Sequence, residues 1–263
     1  MTGDTFYSSR RRPTWCRATR TEPPTSGDTN QAADGFVRDQ RTGAISRVTV
    51  SNTGRQGNAE SGTPQSGAPA LSHDGRYAAF MSDASNMVPG DTNGSSDVFV
   101  RDRWKGTTKR VSVSSTEVPG NYSSLGAGIS ANGRYVVFLS DASNLAPGDD
   151  NMYADVFVRD RWTGTTRRIV AAVKGRAYAQ ASMSDDGRYV SFVSDERVFV
   201  NDRRTGVTRM ASVSATGEEA NHFCSRAIMS RDGRYVLFSS YANNLVPGDT
   251  NIGTDVFLKR WGR

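Results

Sequence analysis

Four times along the chain a short apolar run ends in serine, turns at a glycine and restarts with Arg-Tyr. The copies are SHDGRYAAF at Ser72, SANGRYVVF at Ser130, SDDGRYVSF at Ser184 and SRDGRYVLF at Ser230. Repetition at a fixed period constrains a fold more than any local preference, because each copy must bury its apolar face against the next. Asp-Gly and Asn-Gly between aromatic and β-branched runs are hairpin turns, since only Gly, Asn and Asp take positive φ cheaply. After the final Phe of each copy comes DVFVRD or a variant, then a turn such as RWTGTT at Arg161, then a strand such as RVSVS at Arg110 or MASVS at Met210. Each unit therefore reads as four antiparallel strands.

The spacing of the third strand fixes the size of the unit. Val98 to Val156 is 58 residues, Val156 to Val198 is 42, and Val198 to Val256 is 58 again. About 40 to 45 residues with four strands is the length of a propeller blade. The short unit lacks an acidic stretch that the others place between their second and third strands, as in SDASNLAPGDDNMYADVFVRD from Ser140. That stretch is an insertion that decorates the blade. RYVVFLS and DVFVRD are apolar at consecutive positions, as in sheets covered on both faces. The fold class is accordingly all-β, a β-propeller of about five blade-like units with the first and last incomplete. Tyr77, Tyr135, Tyr189 and Tyr235, with Phe80, Phe138, Phe192 and Phe238, are expected as core between blades. The trailing unit ends after DVFLKRW with no fourth strand, and the leading strands at Phe36–Asp39 and Ala44–Ser51 are expected to supply it and close the ring.

The pattern S-x-D-G-R-Y-V-x-F followed by D-V-F-V-x-D-R-x-T-G resembles the WD-type propeller repeats of the TolB family, found in bacterial envelope and secreted proteins. The resemblance covers Gly27 to Trp261. It implies a periplasmic or secreted protein and a role in docking a partner, while related propellers also serve as peptidase gates and lyases. TolB itself carries a further amino-terminal domain and its propellers usually close with six blades, whereas this chain shows three complete units.

Residues 1–26 share nothing with the repeat. They read as a disordered basic tail or as a mis-set, frame-shifted start ahead of a single propeller domain at 27–263. The basic start is not followed by an apolar core, so no signal peptide is visible. Reading the coding DNA in the other frames tests the second idea. Five of the arginines, Arg10, Arg11, Arg12, Arg17 and Arg20, lie in this segment and nearly account for the net charge of +6. Elsewhere arginine alternates with aspartate, which describes a mixed-charge surface and not the one-sided basic face of a nucleic-acid binder. No apolar run approaches the roughly 18 residues of a membrane-crossing helix. Cys16 and Cys224 make no disulfide framework. Cys224 beside His222 reads as a buried thiol next to a partly exposed imidazole.

Enzyme motifs are missing: there is no G-x-S-x-G, P-loop or H-E-x-x-H, and His73 and His222 are the only histidines. Repeated carboxylates read as architecture, so the chain is expected to be a non-catalytic binding or scaffold module for a protein or glycan partner. The alternative is a propeller enzyme of polysaccharide lyase or hydrolase type acting on an acidic polymer or a peptide. The acidic insertion is the candidate site. Asp91, Asn93 and Asp97 present oxygens at positions 1, 3 and 7, repeated as Asp149, Asn151, Asp155 and as Asp249, Asn251, Asp255, with a leading copy at Asp28, Asn30, Asp34. Ca²⁺ takes six to eight such oxygens, so calcium-stiffened loops are the expectation, against the plainer one that Asp and Asn cap turns.

Overall fold

The computed structural model describes residues 28–62, 69–151, 153–170 and 181–261, and the backbone of Pro13–Ala18. Every regular element in these residues is a β-strand, and the strands form five antiparallel sheets. Three sheets are complete four-stranded meanders: β4 (Ala70–Leu71), β5 (Tyr77–Ser82), β6 (Asp97–Asp102) and β7 (Thr107–Arg110); β8 (Ser124–Ile129), β9 (Tyr135–Ser140), β10 (Asp155–Asp160) and β11 (Thr165–Val170); β12 (Ser182–Met183), β13 (Tyr189–Ser194), β14 (Arg197–Asp202) and β15 (Val207–Met210). The first sheet holds β1 (Pro13–Ala18), β2 (Asp34–Asp39) and β3 (Ile45–Arg47), and the last holds β16 (Cys224–Met229), β17 (Tyr235–Ser240) and β18 (Asp255–Arg260). The expectation that the leading strands complete the trailing unit is overturned. β2 and β3 belong to their own sheet, and Pro13–Ala18, placed by the sequence in a tail, runs along β2 with Trp15 opposite Val37. A free edge of β2 would leave a row of backbone groups unpaired, and β1 satisfies them.

The repeated turn is held the same way each time. Ser72 Oγ donates to Asp74 Oδ1 at 2.6 Å and accepts from the Tyr77 amide at 2.9 Å, and the second and third complete units repeat this with Ser130, Asn132, Tyr135 and with Ser184, Asp186, Tyr189. The turn glycine is doubly constrained. Gly133 sits at φ 71°, and a Cβ there would overlap the ring of Tyr77; Gly187 stands in the same relation to Tyr135, and Gly233 to Tyr189. The tyrosine of one unit thus closes on the turn of the next, which explains why both residues recur.

Within each unit the second and third strands place two phenylalanines opposite one another. Phe80 and Phe99 stack at 6.0 Å, Phe138 and Phe157 at 5.7 Å, Phe192 and Phe199 at 5.7 Å, and Phe238 and Phe257 at 5.6 Å. Truncating a fully buried member such as Phe138 costs about 3–5 kcal/mol. Adjacent units are stapled by backbone bonds between turns: His73 N to Ala131 O, Ala131 N to Asp185 O and Asp185 N to Arg231 O, at 2.8–2.9 Å. Thr108 and Thr166, on the fourth strands, bond back to the carbonyls of Val50 and Val113 in the preceding unit, the first at 2.6 Å.

Candidate functional site

The acidic insertions bring their predicted residues together, and they bring a partner the sequence reading did not name. Each complete unit that has the insertion sends an arginine from its fourth strand between the two aspartates. Arg110 lies 3.1 Å from Asp91 and 3.3 Å from Asp97, and Arg168 lies 3.3 Å from Asp149 and 2.9 Å from Asp155. The Arg110 nitrogens are buried without the alignment of a hydrogen bond, so the attraction there is Coulombic. In the first sheet Arg47 approaches Asp34 at 3.4 Å, while Gln56 donates to both Asp28 and Asp34 at 2.7 Å. The register is constant: Arg47 stands opposite Phe36, Arg110 opposite Phe99 and Arg168 opposite Phe157. In the unit without an insertion the position opposite Phe199 is Met210, and Arg197 replaces the aspartate that begins the third strand. In these four sheets acid and arginine are present together or absent together.

The asparagines organise the loops. Asn93 Oδ1 accepts from the Ser95 amide at 3.0 Å and its Nδ2 donates to Gly120 O at 2.9 Å; Asn30 does the same with Ala32 and Gly57. The bonds to Ser95 and Ala32 are side chain-to-backbone turn bonds, and those to Gly120 and Gly57 tie each loop to a segment 27 residues along the chain. Burial raises the pKa of Asp34, Asp91 and Asp97 against the opposing pull of their hydrogen bonds and of Arg47 or Arg110. Asp149 is pushed up to about 6 by burial first and by the neighbouring Asp155 second. One guanidinium between two carboxylates leaves the cluster a net negative charge in a dry setting.

The last loop differs. Asn251 still donates to Asp255 Oδ2 at 3.0 Å, but the sheet stops at β18 among the described residues and no arginine stands opposite Phe257. Asp249 Oδ1 is buried with no hydrogen-bond partner. A groove of about 420 Å³ opens along Asp249, Asn251, Asp255, Val256, Phe257 and Leu258. Among the described residues no group of three His, Cys, Asp or Glu side chains is arranged to hold a metal ion.

At the opposite end of the third strand a second arginine–aspartate pair recurs. Arg76 grips Asp102 with Nε at 3.1 Å and Nη2 at 2.8 Å, Arg134 grips Asp160, and Arg188 grips Asp202. The Arg188 fork holds Asp202 at about 2. The Arg134 fork and the amides of Trp162 and Thr163 outweigh burial to hold Asp160 at about 2 as well. In the last unit Arg260 takes the aspartate's place, leaving Arg234 only a 3.8 Å approach to Asp232.

One surface feature escaped the sequence reading. His222, Phe223 and Tyr241 are exposed and lie with ring centroids 4.6–5.7 Å apart. The pairing of Cys224 with Ser240 sets Phe223 and Tyr241 side by side. The matching residues of the second complete unit are Tyr122, Ser123 and Asp141. Cys224 is a buried free thiol as expected. It takes the place of the serine in the Ser124–Ser140 bridge, 3.3 Å from Ser240 Oγ, and burial pushes its pKa up.

No protein-family model matches the chain, and neither does any curated protein. Solved structures do. A putative TolB from Agrobacterium tumefaciens matches at 17% identity and TM-score 0.53, over 86% of this chain and 70% of that one. An oligogalacturonate lyase in complex with manganese matches at 13% identity and TM-score 0.52, over 88% of this chain and 54% of that one. A prolyl endopeptidase matches at 15% and 0.51, over 86% of this chain and 31% of that one. The chain thus spans less than two thirds of both enzymes. Identities this low speak for the fold alone. By fold, the chain is a TolB-like β-propeller.

Proposed function

We propose that this propeller is a non-catalytic binding module of the bacterial envelope or of secreted type, which docks a protein or glycan partner. The observation that carries this reading is how the repeated carboxylates are used. Asp97, Asp155, Asp102, Asp160 and Asp202 each face an arginine of their own sheet, so the acids that repeat in the complete units are matched inside the fold. The surface that departs from the repeat is aromatic. His222, Phe223 and Tyr241 offer stacking area with polar tips, the composition of a recognition patch. His222 Nδ1 accepts from the Phe223 amide at 3.0 Å, which fixes the ring within the patch. The envelope location rests on the TolB-like repeat. The calcium expectation narrows to Asp249, Asn251 and Asp255, because at the other loops a cation would meet Arg47, Arg110 or Arg168.

Restoring the repeat at the patch, as Phe223→Ser with Tyr241→Asp, tests the reading. Partner recovery from an envelope extract is expected to survive in the parent chain and to vanish in this variant, with melting temperatures within a few degrees. Cleavage of polygalacturonate or of a peptide by the purified chain, lost on His222→Ala, would instead establish the enzyme reading.

A further inference from the structure

The charges that alternate along the sequence do not make the mixed surface that alternation suggests; they separate in space. In an antiparallel meander successive connections emerge at opposite ends of the sheet. The links into the third strands and those from one unit to the next therefore share one end, and the turns from first to second and from third to fourth strands share the other. Among the described residues the first set holds thirteen Asp or Glu and one basic residue, Arg55, whereas the second set, the turn face, holds eleven Lys or Arg against four Asp. Three of those arginines, Arg76, Arg134 and Arg188, are taken up by the aspartates that close the third strands. Arg41, Lys105, Arg204 and Arg231 are exposed and form no salt bridge among the described residues.

The tips of the third-to-fourth turns carry a second signal. The second residue after β2, β6, β10 and β14 is Arg41, Trp104, Trp162 and Arg204 in turn. Trp104 is 69% exposed and Trp162 64%. Each indole rests one face on a guanidinium, Arg76 or Arg134 at 4.9 Å, and Asp102 or Asp160 holds its backbone amide at 3.1 or 3.0 Å. Core packing does not account for an indole at a position that arginine fills in the flanking units.

We infer that the turn face docks on an anionic lipid bilayer, with Trp104 and Trp162 at headgroup level and Arg41, Lys105, Arg204 and Arg231 against the headgroup charge. Arginine and tryptophan are residues that a headgroup layer accommodates side by side, one by its charge and the other by an apolar ring with a polar N–H. The four cations come from four of the five sheets, so they are spread over a face, which matches a plane better than the single line of a polymer strand. The acidic end is repelled by the same surface, so the separation of charge also orients the molecule. Docked this way, the propeller holds His222, Phe223 and Tyr241, which lie at the acidic end, away from the bilayer. The inference goes beyond the binding reading and does not rest on it.

The test is sedimentation of the full chain with vesicles of phosphatidylcholine carrying about 30% phosphatidylglycerol, against phosphatidylcholine alone. Binding to the first and not to the second is expected, falling as salt is raised and accompanied by a blue shift of tryptophan emission. Lys105→Gln with Arg204→Gln is expected to weaken partitioning about tenfold or more, since each basic residue near such a surface contributes about fivefold. Trp104→Gln with Trp162→Gln should weaken it severalfold and remove most of the blue shift. Both pairs are exposed turn tips, so melting temperatures should stay close to that of the parent chain. Absence of binding, equal binding to both vesicles, or unchanged binding of either variant overturns the inference. So does binding that disappears when Arg10, Arg11 and Arg12 are replaced by Gln, which would assign it to the amino-terminal arginines. Retention by a soluble polyanion such as polyglutamate or duplex DNA, with none by vesicles, overturns it too and makes the ligand a polymer. Phe223→Ser with Tyr241→Asp should bind vesicles like the parent chain, so this inference and the binding reading fail separately.

Discussion

The sheet β8–β11 and the sheet β16–β18 are written in nearly the same residues and end in different environments. In the first, Val156 and Val158 are buried and Arg168 stands between Asp149 and Asp155; in the second, Val256 and Leu258 face solvent and Asp249 and Asp255 have no arginine among the described residues. The acid loop is the same device in both. Two things change: the following sheet, whose Met183, Val190 and Phe192 cover Val156 and Val158, and the fourth strand, which carries Arg168, so the loop is a socket whose plug is carried by a different element. A short acidic motif is therefore read wrongly when it is read alone, because its cation arrives from across the sheet.

The comparison breaks most visibly by removing the plug. Arg110→Met leaves Asp91 and Asp97 facing one another in a buried site, and it is expected to cost about 3–5 kcal/mol in chemical denaturation. Asp255→Asn, the corresponding insult at the vacant socket, is expected to stay within about 0.5 kcal/mol. Comparable losses for the two would mean that the sockets are not distinct.

A smaller effect separates the two kinds of aspartate by pH. Asp149 binds its proton more tightly folded than unfolded, so its contribution is present below about pH 4 and is lost as pH rises through about 6. Asp160 and Asp202, held at about 2, act in the opposite sense, stabilising above about pH 4 and losing that stability as pH falls toward 2. Asp149→Asn should therefore gain on the parent chain between pH 4 and 6, by on the order of 2 kcal/mol. Parallel stability curves for parent and variant across that window would remove Asp149 from the account.

Calcium gives the smallest expected change. With a single loop open to a cation, addition of Ca²⁺ after chelation should raise the melting temperature by no more than about 2–4 °C for each kcal/mol of binding. The gain should disappear in Asp249→Asn with Asp255→Asn and persist in Asp149→Asn. A gain that instead follows Asp149 would restore the calcium expectation for the arginine-filled loops.

Much of the fold was legible because it is repeated. The Ser-x-Asp-Gly-Arg-Tyr turn predicts its hairpin from φ alone, and the paired phenylalanines mark the second and third strands. The arginines were legible too, as Arg47, Arg110 and Arg168 against Met210, but their meaning required the register that puts each opposite a phenylalanine. The aromatic patch was not legible. Phe223 and Tyr241 flank the two ends of a hairpin, and only the pairing of Cys224 with Ser240 makes them neighbours. The pairing of β1 was hidden for a different reason, since Pro13–Ala18 lacks the repeat's signature residues and joins the sheet through its backbone.

The chain of turn-to-turn bonds from His73 through Ala131 and Asp185 to Arg231 links the last four units in a row. Such an array unfolds as a row of coupled segments whose cooperativity depends on the joints between them. The last segment has one joint and an uncovered face, so its amides should exchange with deuterium before those of β9 and β10. The motion that empties it need not disturb the rest. Whatever holds the final segment in place should then be recorded at the joint behind it, as slowed exchange at Asp185, whose amide is bonded to the Arg231 carbonyl.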